Sequence, residues 1–139
     1  MEYADFYALM PPNNAADVAP GDDLDFPQDG PSNGTAISRT GPDSFNLAGT
    51  GVYQILFCVE VNQSGQLVLT LNGTELPYTV TGRYTGSSMI VGMSIIQTSA
   101  ANSVLTVRNP SGNFTTLGIT PLAGGTRPVS AHLIILKIA

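Results

Sequence analysis

His132 and Cys58 carry the side chains best suited to nucleophilic chemistry, and each is the only residue of its type in this 139-residue sequence. A catalytic histidine needs a serine or cysteine nucleophile within hydrogen-bond reach, and a carboxylate that orients its ring. His132 instead falls in a predicted strand of mostly apolar residues, and Cys58 lies in the apolar run ILFCVEV. The pattern favours a packed or interface histidine and an inert thiol, so we predict no enzymatic activity and no catalytic residue.

Five aspartates form the second chemically distinctive group and fall within 13 residues of the chain: Asp17, Asp22, Asp23, Asp25 and Asp29. Oxygen-rich loops of this kind hold calcium in many proteins. The spacing of Asp22, Asp23 and Asp25 lacks the third ligand and the glycine of a calcium-binding loop pattern. A solvated acidic loop is therefore the favoured interpretation. These three aspartates are the calcium candidates, and no other cofactor is predicted.

Glu60 is a carboxylate among apolar neighbours in a predicted strand. A charge in such a place is either paired or close to water. The sequence leaves both alternatives open: an ion pair with Arg108 or Arg83, or a position at the solvent rim.

The charge pattern excludes several classes of partner. The chain has a net charge of -5 and only five cationic residues, which form no basic stripe: Arg39, Arg83, Arg108, Arg127 and Lys137. A nucleic acid or an anionic membrane surface is therefore not an expected partner. No apolar run approaches the roughly 20 residues that span a bilayer, and the first residues do not resemble a signal peptide.

The elements that hold these residues are predicted to be short strands. Fifteen glycines and ten prolines, with only 11% charged residues, favour strands and turns over long helices. Asn72-Gly73 predicts a tight hairpin, because both residues tolerate positive φ, and residues 17–34 read as an ordered loop. The strands are predicted at residues 3–10, 36–39, 44–47, 52–61, 66–71, 75–81, 88–98, 103–108, 114–119 and 131–138. The fold class is all-β, a jelly-roll or sandwich in a single domain over residues 1–139.

Several strands are apolar on both faces. The last strand carries Leu133 and Ile135 on one face and an apolar set that includes Ile134 and Leu136 on the other. A strand of a two-sheet sandwich normally buries one face only, so the second face predicts contact with another subunit. The candidate interface residues are Tyr53, His132, Ile134, Leu136 and Ile138.

Five segments of the sequence resemble known families. The strand that begins GVYQILF and the closing SAHLIILKIA are similar to the central and last strands of the tumour necrosis factor and complement globular head superfamily. The segments YADFYALMPP, FPQDGP and PLAGGTRPVSAHL resemble the C-terminal domains of BclA-type bacterial collagen-like surface (exosporium) glycoproteins.

This resemblance implies a ten-strand jelly roll, a homotrimer, and a role as the distal knob of a collagen-like filament on a bacterial spore or cell surface. The partners would be two further copies of the chain and a collagen-like stalk before Tyr3. The stalk is absent from this chain, whose glycines show no every-third-residue period. The alternative function is a trimeric head that binds a glycan or a host receptor, because fold alone does not separate the two roles.

Overall fold

The computed structural model describes residues 1–86 and 88–139, which form two antiparallel sheets packed face to face. Sheet I has the order β10 (Ser88–Thr98), β6 (Gly51–Val61), β13 (Val129–Lys137), β1 (Glu2–Leu9) and β3 (Gln28–Ser32). Sheet II has the order β4 (Ile37–Arg39), β5 (Phe45–Leu47), β11 (Ser103–Arg108), β7 (Gly65–Leu71) and β8 (Thr74–Glu75), with β9 (Thr81–Arg83) also paired to β7. A small third sheet joins β2 (Asp17–Val18) to β12 (Leu117–Gly118).

The predicted ten-strand jelly roll is confirmed. Strands β8 and β9 both pair with β7 and are separated by a 3-10 turn over Pro77–Thr79, so they are two halves of one interrupted strand. Each sheet then has five strand positions. The strand predicted over residues 75–81, with Pro77 as its irregular point, is interrupted there, because Pro77 has no N–H to donate to a ladder and begins the turn instead.

The core lies between the two sheets and follows the alternation of the strands. Tyr53, Ile55 and Phe57 on β6 are fully buried, and Leu67 and Leu69 on β7 belong to the same cluster of apolar side chains. Successive residues of a strand point to opposite faces, so the odd-numbered residues of β6 enter the core and the even-numbered ones face outward. A period of two groups Tyr53, Ile55 and Phe57 on one face, and the structure places that face in the core.

The Asn72-Gly73 hairpin is also confirmed. Asn72 has a φ of 52° and Gly73 a φ of 81°, which places both residues in the left-handed region. Two successive residues with positive φ give a turn whose twist matches that of the flanking strands. The turn joins β7 to β8, as the sequence predicted.

Two other predictions were wrong. Residues 28–32 were predicted as loop but form β3, which pairs with β1 as the edge strand of sheet I. Pro31 is compatible with this position because an edge strand leaves one row of N–H groups unpaired. The predicted strand at residues 114–119 shrinks to Leu117–Gly118. Gln63 instead holds this segment as a loop, because its side chain donates to the Thr116 carbonyl at 2.9 Å and accepts from the Gly118 N–H at 2.8 Å.

Within residues 1–86 and 88–139, no helix has the length and apolar character needed to cross a membrane.

Candidate functional site

The outer face of sheet I, which points away from the core, is the most unusual surface of the molecule. Three apolar side chains of β10 lie there in alternation: Val91, Met93 and Ile95, with exposed fractions of 52%, 64% and 56%. Large apolar side chains rarely lie exposed side by side on a soluble monomer, and an extended patch of them marks an interaction surface.

Strand register extends this patch across four strands of sheet I. The antiparallel pairing aligns the outward-facing residues of β10, β6, β13 and β1 in three rows. The rows are Val91–Cys58–His132–Tyr7, Met93–Leu56–Ile134–Asp5 and Ile95–Gln54–Leu136–Tyr3. Three strand spacings make the patch about 14 Å wide between backbones. We call these twelve residues the outer face.

One hydrogen-bonded polar pair lies within the outer face, and both of its members belong to the same protomer. His132 Nδ1 is 2.9 Å from Asp5 Oδ1, and the His132 ring centroid is 5.8 Å from that of Tyr7. Both members of the pair are about one-third exposed. The ring and the carboxylate already hydrogen-bond each other. Burial of this pair under another protein surface would therefore leave neither group without a hydrogen-bond partner.

The predicted interface residues divide into two groups. His132, Ile134 and Leu136 lie on the outer face and are half-buried, and Ile138 is exposed just beyond the end of β13. Tyr53 was wrongly grouped with them, because it lies on the inner face of β6 and is fully buried. Its hydroxyl donates to the Gly49 carbonyl at 2.6 Å, and burial raises the pKa of that hydroxyl.

The interface residues predicted from the sequence include only three of the twelve, namely His132, Ile134 and Leu136, and omit the members on β10 and β6. They also omit three members on β1: Tyr3, Asp5 and Tyr7. These residues alternate with the buried Ala4, Phe6 and Ala8. The period-two pattern was therefore visible in the sequence. The contact of Asp5 with His132 was not, because it joins residues 127 positions apart.

Cys58 and His132 do lie opposite each other in the β6–β13 register, with Asp5 on the far side of the histidine. This arrangement does not make Cys58 a nucleophile, because burial raises the pKa of the Cys58 thiol and so disfavours the reactive thiolate. The three residues also sit on a paired sheet, whose backbone N–H groups are taken up by the ladder and are not free to stabilise an oxyanion.

Residues 30–34 match the Gly-x-Ser-x-Gly pattern that carries the nucleophile of many hydrolases. That chemistry needs a sharp turn from a strand into a helix. Ser32 is instead the last residue of the edge strand β3 and is paired with Ala4. The match is therefore not a nucleophile elbow.

The calcium candidates Asp22, Asp23 and Asp25 line a cleft of about 310 Å³ together with Asp17 and Asp43. The carboxylate of Asp23 is engaged by protein groups, since it accepts from Arg108 Nε at 2.8 Å and from the Thr106 hydroxyl at 3.1 Å. Among the residues that the structure describes, no three His, Cys, Asp or Glu side chains are placed to share a metal ion. Asp23 is thus a structural residue that fixes the acidic loop to β11.

Asp25 gives a prediction about pH. Burial, with Asp43 and Asp23 nearby, raises the pKa of Asp25 above its usual value. The ionised form is therefore less favourable in the folded protein than in the unfolded chain. This destabilisation is present above the folded pKa and disappears as pH falls below the unfolded value of about 3.9.

We expect Asp25→Asn to raise the free energy of unfolding at about pH 7 by no more than about 0.5 kcal/mol, the scale of changes at half-exposed sites. The gain should vanish at about pH 3, where the unfolded aspartate is protonated. Urea unfolding of the wild type and of Asp25→Asn at the two pH values measures the gain at about pH 7 and its loss at about pH 3. Asp29→Asn is the comparison, because Arg39 lowers the pKa of Asp29 and the same change there should destabilise the protein. A gain for Asp25→Asn that is equal at both pH values would contradict the electrostatic explanation.

Glu60 has neither of the partners considered from the sequence. Arg108 is paired with Asp23, and no ion pair joins Glu60 to Arg83 within the described part of the chain. Glu60 Oε2 is enclosed by protein atoms and has no hydrogen-bond partner there.

The fold has clear counterparts among solved structures. Murine APRIL is 16% identical, with 99% of this chain and 98% of that chain covered and a TM-score of 0.68. The globular domain of zebrafish complement 1qA protein is 11% identical over 100% and 98%, with a TM-score of 0.67. Eiger TNF from S. frugiperda is 16% identical over 99% and 92%, also with a TM-score of 0.67. The chain has the TNF/C1q-like jelly-roll fold.

Neither a scan of protein-family models nor a search of curated proteins gave a match. The likeness to the solved structures is one of fold, and it agrees with the superfamily that GVYQILF and the closing strand resemble.

Proposed function

We propose that this chain is a non-catalytic head domain that assembles with two further copies of itself through the outer face of sheet I. The observation that carries the proposal is the set of three residue rows, in which Val91, Met93 and Ile95 are each more than half exposed. Full burial of one such side chain stabilises a structure by about 1.5–3 kcal/mol. Three copies around a threefold axis would cover one another and leave no open surface for further addition.

The polar content of the outer face suits this role. The three rows contain one carboxylate, that of Asp5, and His132 is its partner. A chain with a net charge of -5 would repel its copies if its acidic groups met at the contact. Because the acidic loop residues Asp22, Asp23 and Asp25 lie outside these rows, most of that charge stays away from the proposed interface.

We place this assembly at the distal end of a collagen-like filament on a bacterial spore or cell surface. The support is the resemblance of residues 3–12, 26–31 and 121–133 to exosporium collagen-like proteins. A trimeric head brings three stalk ends together at high effective concentration, which lowers the entropy cost of nucleating a triple helix. Met1 is exposed, so a stalk that precedes β1 would not have to pass through the core.

Sedimentation equilibrium at micromolar concentration tests the assembly. The expected mass is three times that of the protomer. Met93→Glu places a charge in the middle row and should give monomers that keep the native circular dichroism spectrum. The matched control is Phe114→Glu, which makes the same kind of change at a fully exposed site outside the outer face. A monomeric wild-type protein, or a Met93→Glu protein that keeps the wild-type mass, would overturn the proposal.

The filament role needs its own experiment. A segment of Gly-Pro-Pro repeats joined before Glu2 should form a triple helix at a higher temperature than the same peptide alone, as followed by circular dichroism. With Met93→Glu in the head the gain should disappear, and with Phe114→Glu it should remain. A head that assembles but does not raise the melting temperature of the stalk would remove the filament role and leave the assembly intact.

A further inference from the structure

A second surface feature lies beside the β7–β9 pair of sheet II and has no part in the outer face. It is a cleft of about 530 Å³, whose lining includes Gln66, Arg83, Tyr84, Asn113 and Phe114. The lining mixes apolar rings with amide and guanidinium groups. This is the composition of sites that hold small polar ligands in a fixed orientation.

The two aromatic rings of the cleft are almost fully exposed, Tyr84 to 94% and Phe114 to 99%. They come from different segments, since Tyr84 directly follows β9 and Phe114 lies in the loop before β12. The other four phenylalanines of the chain are buried in the core. Leaving a phenylalanine ring in water forgoes the stabilisation that burial would provide, so a ligand that packs against it is favoured.

The polar groups of the cleft include both hydrogen-bond donors and acceptors. The Asn113 side-chain amide donates to Gln66 Oε1 at 3.3 Å, which ties the two walls of the cleft together. This bond uses one hydrogen of Asn113 and one lone pair of Gln66. The Gln66 NH₂ and the Asn113 carbonyl make no side-chain hydrogen bond to the described residues and are suited to ligand hydroxyls.

Arg83 gives the cleft a positive charge. It is the only charged residue in the lining, and its Nε is buried without a hydrogen-bond partner among the described residues. Arg39 and Arg108 both pair with aspartates, at 2.9 Å and 2.8 Å, whereas no such pair forms at Arg83 in the same part of the chain. Because the buried Nε is closed to a ligand, the two terminal NH₂ groups of Arg83 would make the contact, and a guanidinium edge of this kind suits a carboxylate.

The cleft lining also includes two glycines, Gly65 and Gly82, whose missing side chains are explained by neighbouring protein atoms. A Cβ on Gly65 would lie 2.3 Å from Leu117 Cδ2, and one on Gly82 would lie 3.0 Å from Gln66 Cγ. Both positions belong to the β7–β9 ladder, in which Gly65 pairs with Arg83 and Gly82 pairs with Gln66. These glycines are therefore explained by packing within the protein, and the ligand contacts come from the rings and polar side chains of the cleft.

We propose that this cleft binds an acidic pyranose, a terminal sialic acid or uronic acid of a glycan. The C–H face of the sugar packs on Tyr84 and Phe114, its hydroxyls bond to the amides of Gln66 and Asn113, and its carboxylate pairs with Arg83. This adds recognition to the proposed head domain, and it does not depend on the number of copies in the assembly.

Isothermal titration calorimetry with the methyl glycosides of N-acetylneuraminic acid and glucuronic acid tests the proposal on the intact chain. Methyl galactoside is the neutral comparison. We expect millimolar binding of at least one acidic sugar. Tyr84→Ala and Phe114→Ala should each weaken it roughly tenfold. Arg83→Gln should remove the preference for the acidic sugar over the neutral one. Tyr78→Ala changes an exposed tyrosine that does not line the cleft and should bind like the wild type.

No binding of either acidic sugar at about 10 mM, or binding that Tyr84→Ala and Phe114→Ala leave unchanged, would overturn the proposal. The proposal would also be refuted if these two variants lowered the mass measured by sedimentation equilibrium, because the cleft would then be a contact between copies of the chain. Acidic-sugar binding by a protein that sediments as a monomer would support the cleft while refuting the assembly.

Discussion

Gly92→Val is expected to destabilise the protein strongly and to remove much of its free energy of unfolding. Gly92 lies opposite Phe57 in the β10–β6 ladder, and the Phe57 ring covers it on the core side. A Cβ built on Gly92 would be 2.2 Å from Phe57 Cζ and 2.5 Å from Cε2. The ring has no room to withdraw because Phe57 is fully buried between the two sheets.

The expected loss exceeds about 3 kcal/mol, above the usual range for overpacked cores because a rigid ring must be displaced. Proteins of this size have free energies of unfolding of about 5–15 kcal/mol, so the substitution removes a large part of this free energy. Urea unfolding and soluble yield measure the effect. Gly112→Val is the matched control, since nothing lies within 4 Å of a Cβ at that position.

A second variant separates the contact from general strand effects. Gly92→Ala should cost less in a Phe57→Leu background than in the wild type, because leucine lacks the ring atoms that meet the new methyl group. The two changes are then coupled, and a double-mutant cycle reports the coupling. Equal stability of Gly92→Val and Gly112→Val, or strict additivity of the two changes, would contradict the steric explanation.

Local alternation explains why much of the fold was predictable. Residues 51–61 are strongly apolar, and a period of two places Ile55 and Phe57 on one face and Leu56 on the other, whatever the partners of the strand are. Because both faces are apolar, the pattern alone does not say which face enters the core. The assignment of Tyr53 to the interface was wrong, although the alternation places Tyr53 on the same face as the buried Ile55 and Phe57.

The wrong predictions concern features that depend on distant partners. β3 is rich in residues that disfavour strands, and it forms because β1 offers an open edge to Gln28–Ser32. The segment with Phe114 has strand-forming residues but no ladder partner before Leu117. Pairing with a remote strand outweighs local propensity in both cases, and a single sequence does not reveal it.

The candidate sites show the same division. The apolar residues on the outer side of β13 were predicted from alternation, whereas the Asp5–His132 pair depends on the register between two ends of the chain. The cleft of Tyr84 and Phe114 joins two loops that are 30 positions apart and share no motif. Sequence patterns therefore predicted surfaces built from one strand and missed sites assembled from several.

Asp23→Ala is expected to destabilise the protein by about 2 kcal/mol, the scale of hydrogen bonds that involve charged groups. Asp23 and Arg108 are each only 18% exposed, and their side chains meet at 2.8 Å. The acidic loop is also tied to β11 and its end through backbone bonds, from Leu24 to Val107 and from Asn109 to Asp22. Removal of the carboxylate leaves the largely buried Arg108 without its anion, and the Thr106 hydroxyl keeps only its hydrogen bond with Thr70.

Asp29→Ala is the matched control because Asp29 also pairs with an arginine, Arg39, at 2.9 Å. That carboxylate is 59% exposed, so the pair is screened by water and its loss should cost less than about 1 kcal/mol. Arg108→Met in the Asp23→Ala background should recover part of the stability, since it removes the unpaired charge. Urea unfolding measures all four proteins.

The same measurement with and without calcium distinguishes a structural ion pair from a cation site. Calcium that binds only the folded protein would raise the free energy of unfolding in proportion to the logarithm of its concentration. We expect no rise, because Arg108 already neutralises the Asp23 carboxylate that a cation in this cleft would need. A calcium-dependent gain in the wild type that Asp23→Ala abolishes would refute this assignment and make the acidic loop a calcium site.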